Sequence, residues 1–301
     1  MQISKKKSLL FPGCVIRNRL PFLEKSARLV FERLGFYFED APFTCCPDPI
    51  GVASISKKSW LLLAARNLIQ GEKDNREILS LCNGCSETLL RAKNELLRDK
   101  QSFKEINTIL GKKGYEYKGN AKVTHFVRTL VEDIGVNKIK KMVKKTWRHN
   151  RVKGNPIKGI KVAVHPGCHY NRPSDILQWD DPHDPHYQEK IIEAIGGISI
   201  DYPQKNLCCG SCVTRTREDL GLAIIRAKYR SATIADAQIF SVNCPACFQT
   251  MESRQRDVNK EFNENIEIPV FYITELIALA FGFNPEELGL KFHSIGGKMF
   301  Q

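Results

Sequence analysis

The chain has 301 residues, 42% hydrophobic and 26% charged, with a net charge of +13, long enough for about two domains of ordinary size, each with its own core. Its richest apolar stretches, "WLLLAARNLI" and "ITELIALAFGF", are broken by polar residues and fall short of the about 20 residues of a membrane span, and "MQISKKKSLLFPG" has neither the apolar core nor the small-residue cleavage pattern of a signal peptide. Eleven cysteines in such a chain point to a reducing, cytoplasmic location rather than to a secreted disulfide framework.

In chain order, short apolar runs that lead to a cysteine alternate with amphipathic stretches. "KSLLFPGC" brings Cys14 and is followed by the helical pattern "LEKSARLVFERLG". The doublet Cys45-Cys46 precedes "KKSWLLLAARNLI"; "EILSLCNGC" then brings Cys82 and Cys85, and "SETLLRAKNELLRDK" follows. "THFVRTLVEDIGV" closes this half in a helical pattern ending at glycine. The second half opens on "IKVAVHPGC" with Cys168, and the doublet Cys208-Cys209 precedes "TREDLGLAIIRAKYRSATIADA". "QIFSVNCPAC" carries Cys244 and Cys247, and "VFYITELIALAFGF" closes the chain much as the first half closed.

The short runs read as buried strands and the longer stretches as helices. Strand-helix alternation predicts an α/β fold of two pseudo-symmetric halves, each a small, mostly parallel sheet flanked by helices, with the cysteines at strand ends, where such folds place their ligands. The expected domains are residues 1–137 and 159–301, joined by a basic linker at 138–158. The repeat is metric as well as ordinal: corresponding cysteine intervals are 31 against 40 residues, 36 against 35, and 3 against 3. Ser86 is the predicted N-cap of the helix after Cys85, which turns a positive dipole end toward thiolates.

The net charge is concentrated between Asn137 and Lys161, which holds ten Lys or Arg and no Asp or Glu. That run reads equally as a solvated linker or as a docking surface for an acidic partner. No zinc-finger, helix-turn-helix or aromatic RNA-binding pattern accompanies it, which argues against nucleic acid.

A doublet and a CxxC, twice, must be explained together. Structural zinc needs four ligands and is poorly chelated by adjacent cysteines. Thioredoxin-like exchange uses one CxxC and leaves the doublets idle. Buried inert cysteine accounts for single positions, not for five that recur, and neither CxxC is followed by the His of haem attachment. A polynuclear iron-sulfur cluster suits neighbouring thiolates better, because several bridged irons can share them, and five thiolates exceed the needs of an ordinary cubane.

The order C, CC, CxxC, repeated, with "CCG" at 208–210, resembles the cysteine-rich CCG domain family, and in particular the B subunits of heterodisulfide reductases. "FPGCVIRNRLPFLEKSARLVFERLG", "CCPDP", "CNGC", "HPGCHYNRPSDI" and "NCPACFQ" carry the resemblance along nearly the whole chain. It implies two noncubane 4Fe-4S clusters, one on Cys14, Cys45, Cys46, Cys82 and Cys85, the other on Cys168, Cys208, Cys209, Cys244 and Cys247. A disulfide would be cleaved or formed between them, with Cys82, Cys244 and His169 closest to the reaction. The substrate is either the coenzyme M-coenzyme B heterodisulfide or a protein-bound or other disulfide or thiol of a bacterial sulfur-oxidising complex. The rival reading is a non-catalytic scaffold or electron-relay subunit, stabilised by zinc or by clusters. Neither GxGxxG nor a P-loop is present, so electrons are expected from partners, which the resemblance implies are a ferredoxin-like subunit and a flavin subunit.

"CCGSCVTRTRE" departs from the family's Gly-rich run and adds Cys212, read as a filler or supporting contact more than as a ligand. His169 is a candidate donor to a substrate or cluster sulfur, and His165 reads as a loop histidine satisfied by backbone. His183 and His186, in "DDPHDPHYQEK", are assigned no metal.

Overall fold

The four runs that read as strands become the central strands of two sheets in a computed structural model, which describes residues 8–148 and 154–300. In the first half β1 (Ser8–Phe11), β2 (Phe38–Asp40), β3 (Glu77–Ser80) and β4 (Lys122–His125) form a four-stranded sheet in the order β2-β1-β3-β4. In the second, β5 (Lys161–His165), β6 (Ile198–Ile200), β7 (Ile239–Val242) and β8 (Val270–Tyr272) repeat it as β6-β5-β7-β8. Every pairing is parallel, with Leu9 opposite Ile78 and Val162 opposite Ile239. The fold is therefore α/β with two similar halves. The central strands read as unbroken apolar runs because helices cover both faces, and Leu9, Leu10, Ile78, Leu79, Val162, Val164, Ile239 and Phe240 are fully buried.

In each sheet the connections reverse direction between the two central strands, and that reversal opens a crevice at their carboxyl ends. The edge strands β2 ("FED") and β6 ("ISI") are three residues long and only partly buried, so no apolar periodicity marked them in the sequence.

The basic segment is not a plain linker. Over Val136–Trp147 it is a helix whose Ile139 and Val143 are buried. Lys138 donates to the Leu34 carbonyl of the first half (2.6 Å), and Trp147 donates to the Ala280 carbonyl of the second (2.8 Å). Lys140, Lys141, Lys144 and Lys145 point outward and are exposed. Residues 149–153 of the basic run lie outside the described residues.

The halves meet where their central strands end. Asn83, just after β3, donates to the Pro166 carbonyl (2.8 Å) and to Asn243 Oδ1 (3.1 Å), both beyond strands of the second sheet. The buried Tyr272 hydroxyl donates to the Leu81 carbonyl, and Ser26 and Thr274 share a hydroxyl bond of 2.6 Å. Buried polar groups of this kind fix the relative position of two sheets, because any slip leaves them unpaired. Tyr272→Phe leaves the Leu81 carbonyl without its donor, and urea unfolding is expected to show a loss of about 1–3 kcal/mol. An unchanged midpoint would mean the bond contributes nothing to the contact between the halves.

A candidate metal centre between the halves

Each cysteine is placed by a local device. β1 ends in Pro12-Gly13, and the positive φ of Gly13 (+80°) turns the chain so that Cys14 opens the short Cys14–Arg19 helix. A Cβ on Gly13 would lie 2.8 Å from Cys85 Sγ, so the turn needs glycine for its backbone and for its space. Gly167 (φ +80°) repeats the turn before Cys168, and its missing Cβ leaves room for Asn83 Nδ2 and Cys247 Sγ.

Both CxxC motifs straddle a helix start. Cys82 is extended (φ −138°, ψ 130°) and is itself the N-cap of the Asn83–Arg98 helix. Ser86, the predicted cap, sits a turn further in and donates to the carbonyls of Cys82 and Asn83. The helix starts earlier because the strand delivers Cys82 directly into it. Cys244 (φ −133°, ψ 127°) caps the Pro245–Phe262 helix in the same way, with Pro245 at a first-turn position that needs no N–H. The result puts all four CxxC thiols at positive helix ends, a better arrangement for thiolates than the predicted one.

The doublet loops are held from the next helix. Asn67, in the Lys57–Glu72 helix, accepts from the Thr44 N–H (2.8 Å) and donates to the Cys45 carbonyl (3.3 Å). In the Glu218–Ile234 helix Lys228 does the equivalent work, donating to the carbonyls of Gln204 (2.6 Å) and Lys205 (3.1 Å).

These devices converge on a cavity of about 500 Å³ whose walls include all eleven cysteines. Ten of them form an unbroken succession of neighbouring thiols, in which Cys46 and Cys85 are hydrogen-bonded to each other and the rest interact electrostatically with the next in line. It runs Cys14, Cys45, Cys46, Cys85, Cys82 through the first half, crosses to Cys244, and continues Cys247, Cys209, Cys208, Cys168 through the second. The crossing joins Cys82 to Cys244, which hold equivalent places in the two CxxC motifs. The cysteines are free: Cys46 and Cys85 sulfurs are 2.8 Å apart, against about 2.05 Å for a disulfide. Cys212 also lines the cavity but stands outside this succession, its thiol pushed up by burial.

Ionisation along the succession is uneven. The adjoining thiols of Cys45, Cys168 and Cys247 favour the thiolate at Cys46, Cys208 and Cys244 respectively. Their neighbours are held as thiols: Cys45 by Cys46, Cys85 by Cys46, Cys168 by Cys208, and Cys247 by Cys209. Ten thiolates so close together require cations among them. Two groups of five soft donors, each group on one wall, fit polynuclear iron better than a single tetrahedral ion.

The histidines divide. His169 lies on the cavity wall, with Nδ1 3.8 Å from Glu87 Oε2. Burial raises Glu87 to about 7 against the pull of Arg91, 2.9 Å away. His165 is not a loop residue: it is the last residue of β5, 1% exposed, and neither ring nitrogen meets a hydrogen-bond partner, although the Lys205 carbonyl faces the ring. One of its nitrogens and the thiols of Cys209 and Cys247 lie within 4.8 Å of one another. His186 is paired outside the cavity with Glu189 (2.7 Å) and Asp184 (3.0 Å). Sequence reasoning missed Asn67 and Lys228, since a polar residue in an amphipathic helix carries no mark of pointing inward.

The cysteine-rich CCG domain matches this chain twice, at residues 8–90 and 162–252, and the chain belongs to that family. Among curated proteins it is 33% identical to the B subunit of the ferredoxin/F(420)H(2)-dependent CoB-CoM heterodisulfide reductase of Methanosarcina acetivorans, over 96% of this chain and 94% of that one. It is also 28% identical to the 8-methylmenaquinol:fumarate reductase membrane anchor subunit of Wolinella succinogenes, over 97% and 98%. A solved structure of a hypothetical protein from Helicobacter pylori shares the fold, with a TM-score of 0.70 and 17% identity, covering 96% of this chain and about half (51%) of that one. Among the described residues no helix is long and apolar enough to cross a membrane.

Gly13→Ala is expected to force Cys85 aside and to cost about 1–3 kcal/mol of stability, measured by thermal or urea unfolding. Gly84→Ala, where an added Cβ meets nothing within 4 Å, is the control and is expected to be neutral. Equal effects of the two would contradict the packing of Gly13 on the thiol.

Proposed function

We propose that the chain is the catalytic iron-sulfur subunit of a heterodisulfide reductase-like complex, cleaving or forming a disulfide in the cavity between two noncubane 4Fe-4S clusters. The observation that carries this reading is the unbroken run of ten thiols, five from each half, around one cavity. Family membership and the names of the heterodisulfide reductase relatives support it. When bound, the clusters supply one electron apiece to a two-electron bond change, together with irons that have affinity for sulfur. The protein's part is to hold and separate them: Cys14, Cys45, Cys46, Cys82 and Cys85 on one wall, Cys168, Cys208, Cys209, Cys244 and Cys247 on the other. Cys82 and Cys244, nearest the join, bring the two sets closest. His169, backed by Glu87, is placed to deliver a proton to a departing thiolate, so that a disulfide, two electrons and two protons give two thiols.

Electrons come from partners on this reading, a ferredoxin-like and a flavin subunit, and the complex works in the reducing cytoplasm. The exposed face of the Val136–Trp147 helix suits an acidic partner surface.

Anaerobically prepared protein is expected to contain about eight irons and matching sulfide per chain; stoichiometric zinc with negligible iron would favour the scaffold reading instead. Cys82→Ser and Cys244→Ser are each expected to abolish two-electron turnover while altering mainly the paramagnetic signal of their own half. Cleavage that survives loss of either half's cluster would sink the paired mechanism. Changing Lys140, Lys141, Lys144 and Lys145 together to Glu is expected to slow association with the rest of the complex at low salt, with iron content unchanged. An association rate independent of both charge and salt would make that face mere solvent-exposed helix.

A further inference from the structure

The halves repeat each other in backbone but not in the groups that back their thiols. β1 ends in Phe11, three residues before Cys14; β5 ends in His165, three before Cys168. One doublet loop is held by the neutral Asn67, the other by Lys228. Lys228 is 1% exposed, and the sulfurs of Cys209, Cys247, Cys208 and Cys168 all favour its charged form. Burial opposes them and lowers its pKa to about 7; the negative ligands of a bound cluster act in the same direction as the four sulfurs.

The second set also has N–H groups aimed at sulfur. The Gly210 N–H lies 3.3 Å from Cys208 Sγ, that of Ser211 serves Cys209, and those of Ala246 and Cys247 serve Cys244. His165, held neutral by burial and making no hydrogen bond, adds a polar ring with one nitrogen within 4.8 Å of the Cys209 and Cys247 sulfurs, where the first half has the apolar Phe11. The first wall carries a charge of the opposite sign, the Asp48 carboxylate, which works against a thiolate at Cys46. Positive charge and hydrogen bonds to the sulfurs favour the reduced, more negative state of a cluster, and carboxylates disfavour it.

We propose that the two sites are electrically unequal: Lys228 and His165 hold the cluster of the second set at the higher reduction potential, so that it takes the first electron. This rests on the cluster reading under Proposed function. The step is the transfer of one electron from an external iron-sulfur or flavin donor, which is oxidised as the second-set cluster is reduced, with no bond made or broken. Lys228 and His165 act through the sulfurs and are positioning residues, while the disulfide chemistry stays at the join between the sets.

The test is an anaerobic redox titration of the full cluster-loaded chain, followed by electron paramagnetic resonance on the acid side of neutrality, with Cys168→Ser identifying the second-set step. Lys228→Gln keeps an amide donor but removes the charge, and His165→Phe installs the residue that the first half uses. Each is expected to move the second-set step to lower potential, by at least a tenfold change in the oxidised-to-reduced ratio at fixed ambient potential, or about 59 mV for one electron. The first-set step stays in place, and Lys228→Arg restores the second. A wild-type second set that reduces after the first, or variants that leave its step unmoved, would overturn the proposal; if Lys228→Gln does not load, His165→Phe decides alone. Iron and sulfide content of the same samples reads the cluster assignment separately: a chain without clusters fails that reading, and a loaded chain with unmoved steps fails only this one.

Discussion

Ten thiols set side by side around one cavity cannot all ionise unless positive charge is brought among them, and the rest of the structure answers to that constraint. A hydrophobic core would hold the cysteines as inert thiols, raised by burial and silent. Here they sit at the carboxyl ends of parallel strands and the positive starts of helices, the one region of an α/β layer where backbone dipoles and free N–H groups point at a shared crevice. The uneven ionisation along the succession, with Cys46, Cys244 and Cys208 favoured as thiolates between neighbours held as thiols, is what such a set does with protons alone.

Duplication makes the arrangement possible. One half presents five sulfurs on one wall of a crevice; two halves facing each other close it into a cavity and bring Cys82 and Cys244 together at the join. Contacts at the strand ends, Asn83 to Pro166 and Asn243, and Tyr272 to Leu81, set the separation of the two walls. The helix Val136–Trp147 joins the halves from outside and is anchored to each. On the proposed reading, a two-electron change at a sulfur-sulfur bond asks for this geometry, with a one-electron site on either side of the bond.

Much of this was legible in the sequence, and the reasons are physical. Cysteine spacing survives from sequence to structure because Cys14, Cys82, Cys168 and Cys244 follow within three residues of a central strand, and buried parallel strands announce themselves as apolar runs. The edge strands were silent because "FED" and "ISI" are short and half exposed. The predicted cap at Ser86 misplaced the helix start because capping propensity ignores the strand that feeds the helix, and that strand makes Cys82 the cap. His165 read as a loop residue, since a histidine at the end of "KVAVH" looks the same whether the strand stops before it or includes it. Lys228 was invisible for a general reason: lysine in a helical pattern means surface unless the fold turns that face inward, and here it does.

Iron-edge anomalous diffraction from anaerobically grown crystals tests the central claim most directly, because it locates metal without relying on turnover. Two separate iron peaks are predicted, one on each set of five cysteines, on facing walls of the same cavity and on either side of the join between Cys82 and Cys244. A single peak, zinc in place of iron, or iron bound away from the doublets would contradict it.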